Sequence, residues 1–151
     1  LENRIPPPVV LVAVALGMWG GVRAAGASPF AGPAILALAG GVLVLAGLWL
    51  VVSGFREFRR AGTTIDPVNI DRAATLVSTG VFAWTRNPMY LGFASVLLGW
   101  AALLGSGWAL IGPVLFVTFI QRFQIVPEER AMTAMFGAAF DAYRARVRRW
   151  I

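Results

Sequence analysis

The sequence predicts an all-α, polytopic membrane protein with four transmembrane helices and a C-terminal amphipathic helix at the interface. Three observations carry this. Hydrophobic residues make up 58% of the 151, charged residues only 13%, and the mean hydropathy is +0.74, a composition of membrane proteins. Apolar runs able to cross a hydrocarbon core of ~30 Å alternate with shorter polar stretches. With four spans, every basic residue except Arg23 falls on one side, which the positive-inside rule makes cytoplasmic. Three spans would strand the Arg-rich C-terminal stretch outside. Both ends are therefore expected in the cytoplasm, with residues 1–151 forming one domain.

The first span, Ile5 to Val22, is entered through Pro6-Pro7-Pro8 and closed by Arg23. It is short for a bilayer at ~1.5 Å per residue. Gly17 and Gly21 give it a small-xxx-small pattern suited to close helix contact. Pro33 opens the second span, which stays apolar to Phe55 and runs on into Arg56-Glu57-Phe58-Arg59-Arg60. Gly40, Gly47 and Gly54 recur every seven residues and mark one packing face. Ala61 to Arg86, with Gly62, Pro67, Gly80, Asp66 and Asp71, has no helical period and reads as a surface loop; loops of this length are often functional.

No residue from Asn87 to Gln121 is charged. A single helix of that length would span ~50 Å, too long for a bilayer. Gly105-Ser106-Gly107 divides it into a tight hairpin, its glycines serving a turn and not a phosphate loop. Gly92, Ser95, Gly99 and Ala102 make a small-residue stripe on the third span, and Pro113 is expected to kink the fourth. Beyond Pro127, Met132, Phe136, Phe140, Tyr143, Val147 and Trp150 gather on one helical face opposite Arg130, Asp141, Arg144 and Arg148. This is the amphipathic helix, with a break possible at Gly137.

All 13 basic residues are Arg, and the chain has no His and no Cys. Imidazole bases, thiolate nucleophiles, disulfides and the common zinc sites are thereby excluded, and no metal site is expected. The net charge of +6 suits contact with anionic membrane lipids; nucleic acid is not an expected partner for so apolar a chain.

Two polar clusters stand out. Arg86-Asn87-Pro88-Met89-Tyr90-Leu91-Gly92 reads as a helix start, with Asn87 at the cap, Pro88 in the first turn and Arg86 held at the water interface. Pro127-Glu128-Glu129-Arg130 follows the fourth span, and the topology brings both clusters to one membrane face. Glu128 and Glu129 could simply complement a helix dipole. Ionisable groups at the edge of an apolar bundle also often serve a site.

Thr85 to Gly92, then Pro127-Glu128-Glu129-Arg130, then Phe136-Gly137, Tyr143 and Arg148-Arg149-Trp150 resemble the isoprenylcysteine carboxyl methyltransferase family, whose wider group includes the phospholipid N-methyltransferases. Gly62-Thr63-Thr64, Pro67 and Leu76 to Phe82 look like its bacterial branch. Asn87 stands where the family signature has His, so no role needing an imidazole carries over. The resemblance implies a bacterial inner-membrane enzyme with S-adenosylmethionine as methyl donor, bound at the cytoplasmic end of the bundle. Its acceptor would be a lipophilic or lipid-anchored carboxylate or amine.

On that footing the donor is expected to be held by Arg86, Asn87, Pro88, Tyr90, Leu91, Gly92, Glu128, Glu129 and Tyr143. Arg86, Glu128, Glu129 and Arg148 are expected to act at the reacting groups, with Arg144 a further candidate for the head group. Tyr90 offers an aromatic face for adenine, and the amides after Asn87 can meet a carboxylate. A Glu carboxylate can take the ammonium or the ribose hydroxyls. Methyl transfer from a sulfonium needs alignment and exclusion of water more than acid–base groups, so the lack of His and Cys is compatible with it. Two alternatives share part of the pattern: a sterol-reductase-like membrane enzyme using NADPH, and a non-catalytic membrane subunit.

Overall fold

The computed structural model describes residues 2–62 and 75–151. The stretch 63–74, part of the expected surface loop, lies outside the described residues. The regular elements among the described residues are all helical: α1 (Pro7–Ala24), α2 (Ala34–Arg60), α3 (Pro88–Leu104), α4 (Ile111–Ile120), α5 (Val126–Phe136) and α6 (Ala138–Arg146). Short 3-10 turns cover Gly80–Ala83 and Gly107–Leu110, and a π turn covers Gln121–Ile125. Pro7–Ala24, Ala34–Arg60 and the continuous stretch Gly107–Phe136 are long and apolar enough to cross a membrane; α3 is a shorter apolar helix.

The glycine stripes explain the tightest seam. A Cβ on Gly40 would lie 2.7 Å from the Gly99 carbonyl oxygen, and one on Gly47 would lie 2.5 Å from that of Gly92. The reverse holds equally: a Cβ on Gly92 or Gly99 would meet the carbonyl of Gly47 or Gly40 at 2.5 Å. Two seven-residue glycine periods thus face each other across antiparallel helices and let the backbones touch. Gly54 continues the seam against Met89 and Pro88. In α1 the expected pattern is not used this way, since Gly17 and Gly21 have no neighbour within 4 Å among the described residues. There the close approach is made by Met18 against Gly112 of α4, and the Trp100 indole donates to the Ala15 carbonyl at 3.1 Å.

Gly105 closes α3 with φ 67, a left-handed conformation that Gly adopts without strain, and its N–H bonds back to Ala101 and Ala102. It rests against Gly32, which brings the α1–α2 and α3–α4 connections to one end of the bundle. Leu97, Leu104, Phe116, Ile120 and Ile125 are fully buried between the helices. Ile35, Leu38, Val42, Leu45 and Val52 on α2 and Val114 on α4 are exposed, as befits helices whose solvent is lipid. Trp84 near one end and Trp108 near the other are exposed too, in keeping with aromatic belts at the two interfaces.

Two expectations change here. Pro113 lies in the first turn of α4, where no helical bond is lost, and the departure from α geometry falls at Gln121–Ile125 instead. Pro127 does not start a new helix, because Ile125 already has helical dihedrals and α4 continues through the π turn into α5. The amphipathic segment breaks at Gly137, as foreseen: at φ 47 and ψ −123 it separates α5 from α6, and beyond α6 Val147 is extended. Phe140, Tyr143 and Val147 still pack with Met132 and Phe136, while Trp150 joins the main core and donates to Gln121 Oε1 at 2.9 Å.

Candidate functional site

The chain reaches the polar end of the bundle twice, and each approach is anchored. Before α3, Thr79 donates to Glu57 Oε2 of α2 at 2.9 Å, and Gly80 turns with φ 57 against the Glu57 side chain. Val77, Val81 and Phe82 are buried on Leu50, Phe58 and Ala61. The Tyr143 hydroxyl then donates to the Phe82 carbonyl at 2.7 Å, tying α6 to this turn. Burial pushes that hydroxyl up to about 12, against the opposing pull of Arg86, so it stays a donor at neutral pH.

These anchors deliver Arg86. Its N–H donates to the Arg148 carbonyl at 2.9 Å. One guanidinium nitrogen donates to the carbonyls of Val147 at 2.7 Å and Arg144 at 3.2 Å, the other to Glu129 Oε1 at 2.8 Å. Arg149 meets the same carboxylate through Nε at 3.0 Å and Nη2 at 2.6 Å. Glu129 therefore lies between two guanidiniums, one of them bidentate, the arrangement that Arg favours with carboxylates. Two guanidiniums thus share this one carboxylate, and Arg86 Nε is buried without an acceptor.

Asn87 occupies the cap position of α3, but its side chain does not cap. Its Nδ2 donates to the Arg149 carbonyl at 2.9 Å, which the Thr85 hydroxyl also reaches at 3.2 Å. Pro88 has no N–H, and the first helical bond closed at this end is Leu91 N–H to Asn87 O. The Met89 and Tyr90 amides find no acceptor among the described residues, which leaves them available at the positive end of the helix dipole. One turn in, the buried Tyr90 donates its hydroxyl to Glu128 Oε1 at 2.5 Å. No described residue donates to the other Glu128 oxygen.

The structure thus brings Arg86, Asn87, Pro88, Tyr90, Glu128, Glu129 and Tyr143 to one end of the bundle. Others fall elsewhere. Gly92 is spent on the seam with Gly47, and half-buried Leu91 contributes only backbone bonds within α3. The Arg148 guanidinium reaches only the Ile151 carbonyl at 3.5 Å, and that of Arg144 pairs with Asp141 on the exposed side. Arg149 holds the place expected of Arg148. The chain leaves the helix at Val147, so the face that Arg148 would hold on a continued helix does not carry over. Gln121 and Gln124, both in the π turn, also went unmarked. Two amides flanking Arg122 at the end of the apolar fourth span are the available signal. A separate apolar groove of about 960 Å³ runs between α1 and α4 past Val10, Val14, Met18, Trp108 and Leu115, and no residue of the polar cluster lines it.

Comparison with known proteins bears on the family. The model of the phospholipid methyltransferase family matches residues 35–139, most of the chain, including both polar clusters. The chain belongs to that family. Within the same similarity lies an uncharacterized protein of Haemophilus influenzae, 38% identical over 63 residues, which cover 42% of this chain and all of that one. The protein-S-isoprenylcysteine O-methyltransferase of Schizosaccharomyces pombe is 38% identical over 74 residues, and that of Saccharomyces cerevisiae 35% over 78. Each match covers 48% of this chain and 30% of the yeast enzyme. No solved structure matches. Membership and the apolar helices together make this an integral membrane protein of the methyltransferase family.

Proposed function

We propose that the chain is a single-domain, S-adenosylmethionine-dependent methyltransferase acting on a lipophilic carboxylate or amine at the cytoplasmic face of a bacterial inner membrane. In this reading α1, α2, α3 and the Gly107–Phe136 helix all cross the bilayer, with both ends of the chain in the cytoplasm. The observation that carries it is the cluster itself: one half-buried carboxylate with an open oxygen, two unmet amides, and a guanidinium pair with an unpartnered Arg86 Nε, all at one end of an apolar bundle.

These groups match the donor part by part. The Met89 and Tyr90 amides and the unpartnered Arg86 Nε suit its carboxylate. The open Glu128 oxygen suits the ammonium or a ribose hydroxyl, and Tyr90 holds that carboxylate in place. When bound, S-adenosylmethionine supplies an activated methyl group. The chain's own contribution is orientation, exclusion of water and a fixed electrostatic frame. A carboxylate acceptor needs no base; an amine acceptor must arrive deprotonated. The two yeast relatives are named as methyltransferases of isoprenylcysteine, which favours methyl transfer over the nicotinamide alternative.

Purified protein, methyl-labelled S-adenosylmethionine and a bacterial lipid extract provide the test. Label should move into an organic-soluble product. No transfer together with no calorimetric binding of the donor would remove the proposal.

A further inference from the structure

The π turn before the paired carboxylates has a cause in the sequence. Pro127 lacks an N–H, and in a continuous helix its ring crowds the carbonyl four residues back, that of Phe123. Here the Val126 N–H bonds five residues back, to Gln121 O, so the turn is widened by one residue. The Phe123 carbonyl, which Pro127 cannot serve, accepts the Asn3 N–H at 2.9 Å. The same N-terminal segment clasps the turn twice more. Buried Gln124 donates to the Ile5 carbonyl at 2.8 Å, and Glu2 bridges Arg122 and Arg130 at 3.0 and 2.9 Å.

One extra residue in a turn rotates everything downstream by ~100°, the angle between neighbours on a helix. Glu128 and Glu129 are neighbours. In a straight helix Glu128 would occupy the place that Glu129 holds beside the arginines, and Pro127 would face Tyr90. We infer that Pro127, backed by the Asn3 segment, is a positioning residue: the turn it opens assigns Glu128 to Tyr90 and Glu129 to Arg86 and Arg149. Its consequence for the donor rests on the proposed methyl transfer; the assignment of the two carboxylates does not.

Melting curves in detergent decide the assignment, for Glu128→Gln and Glu129→Gln in the native chain and again with Pro127→Ala. Alanine favours the helix, so folding is not the obstacle. In the native chain Glu129→Gln should melt lower, because Glu129 takes both arginines. With Pro127→Ala the turn closes, Glu128 moves beside the arginines, and the order of the two variants should reverse. Deleting Arg122 from the Pro127→Ala chain removes one residue from the turn, returns both carboxylates to their native places, and should restore the order. A proline that merely stiffens the helix would shift all curves together. An unchanged order with Pro127→Ala overturns the inference, as does a reversal that the deletion fails to correct.

Donor titration adds a second arm: Pro127→Ala should weaken S-adenosylmethionine binding by roughly tenfold, the loss of one charge-assisted contact, and the deletion should recover it. If the native chain binds no donor, the functional proposal fails while the melting order still decides this one.

Discussion

Glu128→Gln is the substitution that separates a donor-binding carboxylate from a structural one. The amide keeps the shape and still offers an oxygen to the Tyr90 hydroxyl, so little stability should be lost there. What disappears is the charge on the oxygen that no described residue engages. A hydrogen bond to a charged group is worth ~1.5–3 kcal/mol, which corresponds to about ten- to a hundredfold in affinity. The competing account, a carboxylate that complements a helix dipole, would cost roughly 0.3–1 kcal/mol of stability and leave affinity alone. It also needs a free helix end, and α5 has none, because it continues from the π turn. The assay is a calorimetric titration with S-adenosylmethionine beside a detergent melting curve of the same preparation. Affinity reduced at least tenfold with a nearly native melt is the expected result. Native affinity in a folded Glu128→Gln protein would refute the reasoning.

Gly99→Leu should cost at least the ~1–3 kcal/mol typical of overpacking, because its Cβ would meet the Gly40 carbonyl at 2.5 Å; Leu98→Met at an exposed site should melt like the native chain, and equal melts would refute the seam. Single cysteines at Ser28 and Ser106 should react with an impermeant thiol reagent from outside the cell, and one at Arg60 should not; outside labelling at position 60 overturns the proposed topology. Arg149→Lys forfeits the bidentate grip on Glu129 and should lower the melting temperature, whereas Arg148→Lys should not. Burial raises the folded pKa of Tyr143 from 10.0 to about 12, so the neutral phenol stabilises the fold fully below pH 10 and that contribution is lost as pH rises through 12. Stability should therefore fall across that interval in the native chain by more than in Tyr143→Phe, and identical profiles would contradict the burial of this hydroxyl.

What could be read beforehand follows from how local each signal is. Gly40, Gly47 and Gly54 announce a packing face because a seven-residue period returns to nearly one side of a helix, and Gly105 announces a turn because its backbone must be left-handed. Asn87-Pro88 marks a helix start through its own stereochemistry. The polar cluster was legible as a meeting of two segments, but not in its wiring. Pro127 carries the ordinary signal for a helix start; only tertiary partners, the Asn3 amide above all, let a helix pass through it with a widened turn. Arg148 and Arg149 are not told apart by sequence, because the break at Gly137 and the extended Val147 end the helical period that would set which neighbour faces inward.

The carbonyls that hold Arg86 belong to Arg144, Val147 and Arg148, and those that hold Asn87 and Thr85 to Arg149. This has a consequence for biosynthesis. A chain inserted as it is translated can settle α1, α2 and α3 long before residues 144–149 leave the ribosome. Until then Arg86 has neither its carboxylate nor its carbonyls and must remain hydrated among the lipid head groups. A nascent chain halted between α5 and Val147 would sit in the bilayer with its hairpins packed and its polar end open. Membrane integration and completion of the polar cluster are thus separate events in the life of this protein, and the second waits for the last stretch of chain to fold back over the start of α3.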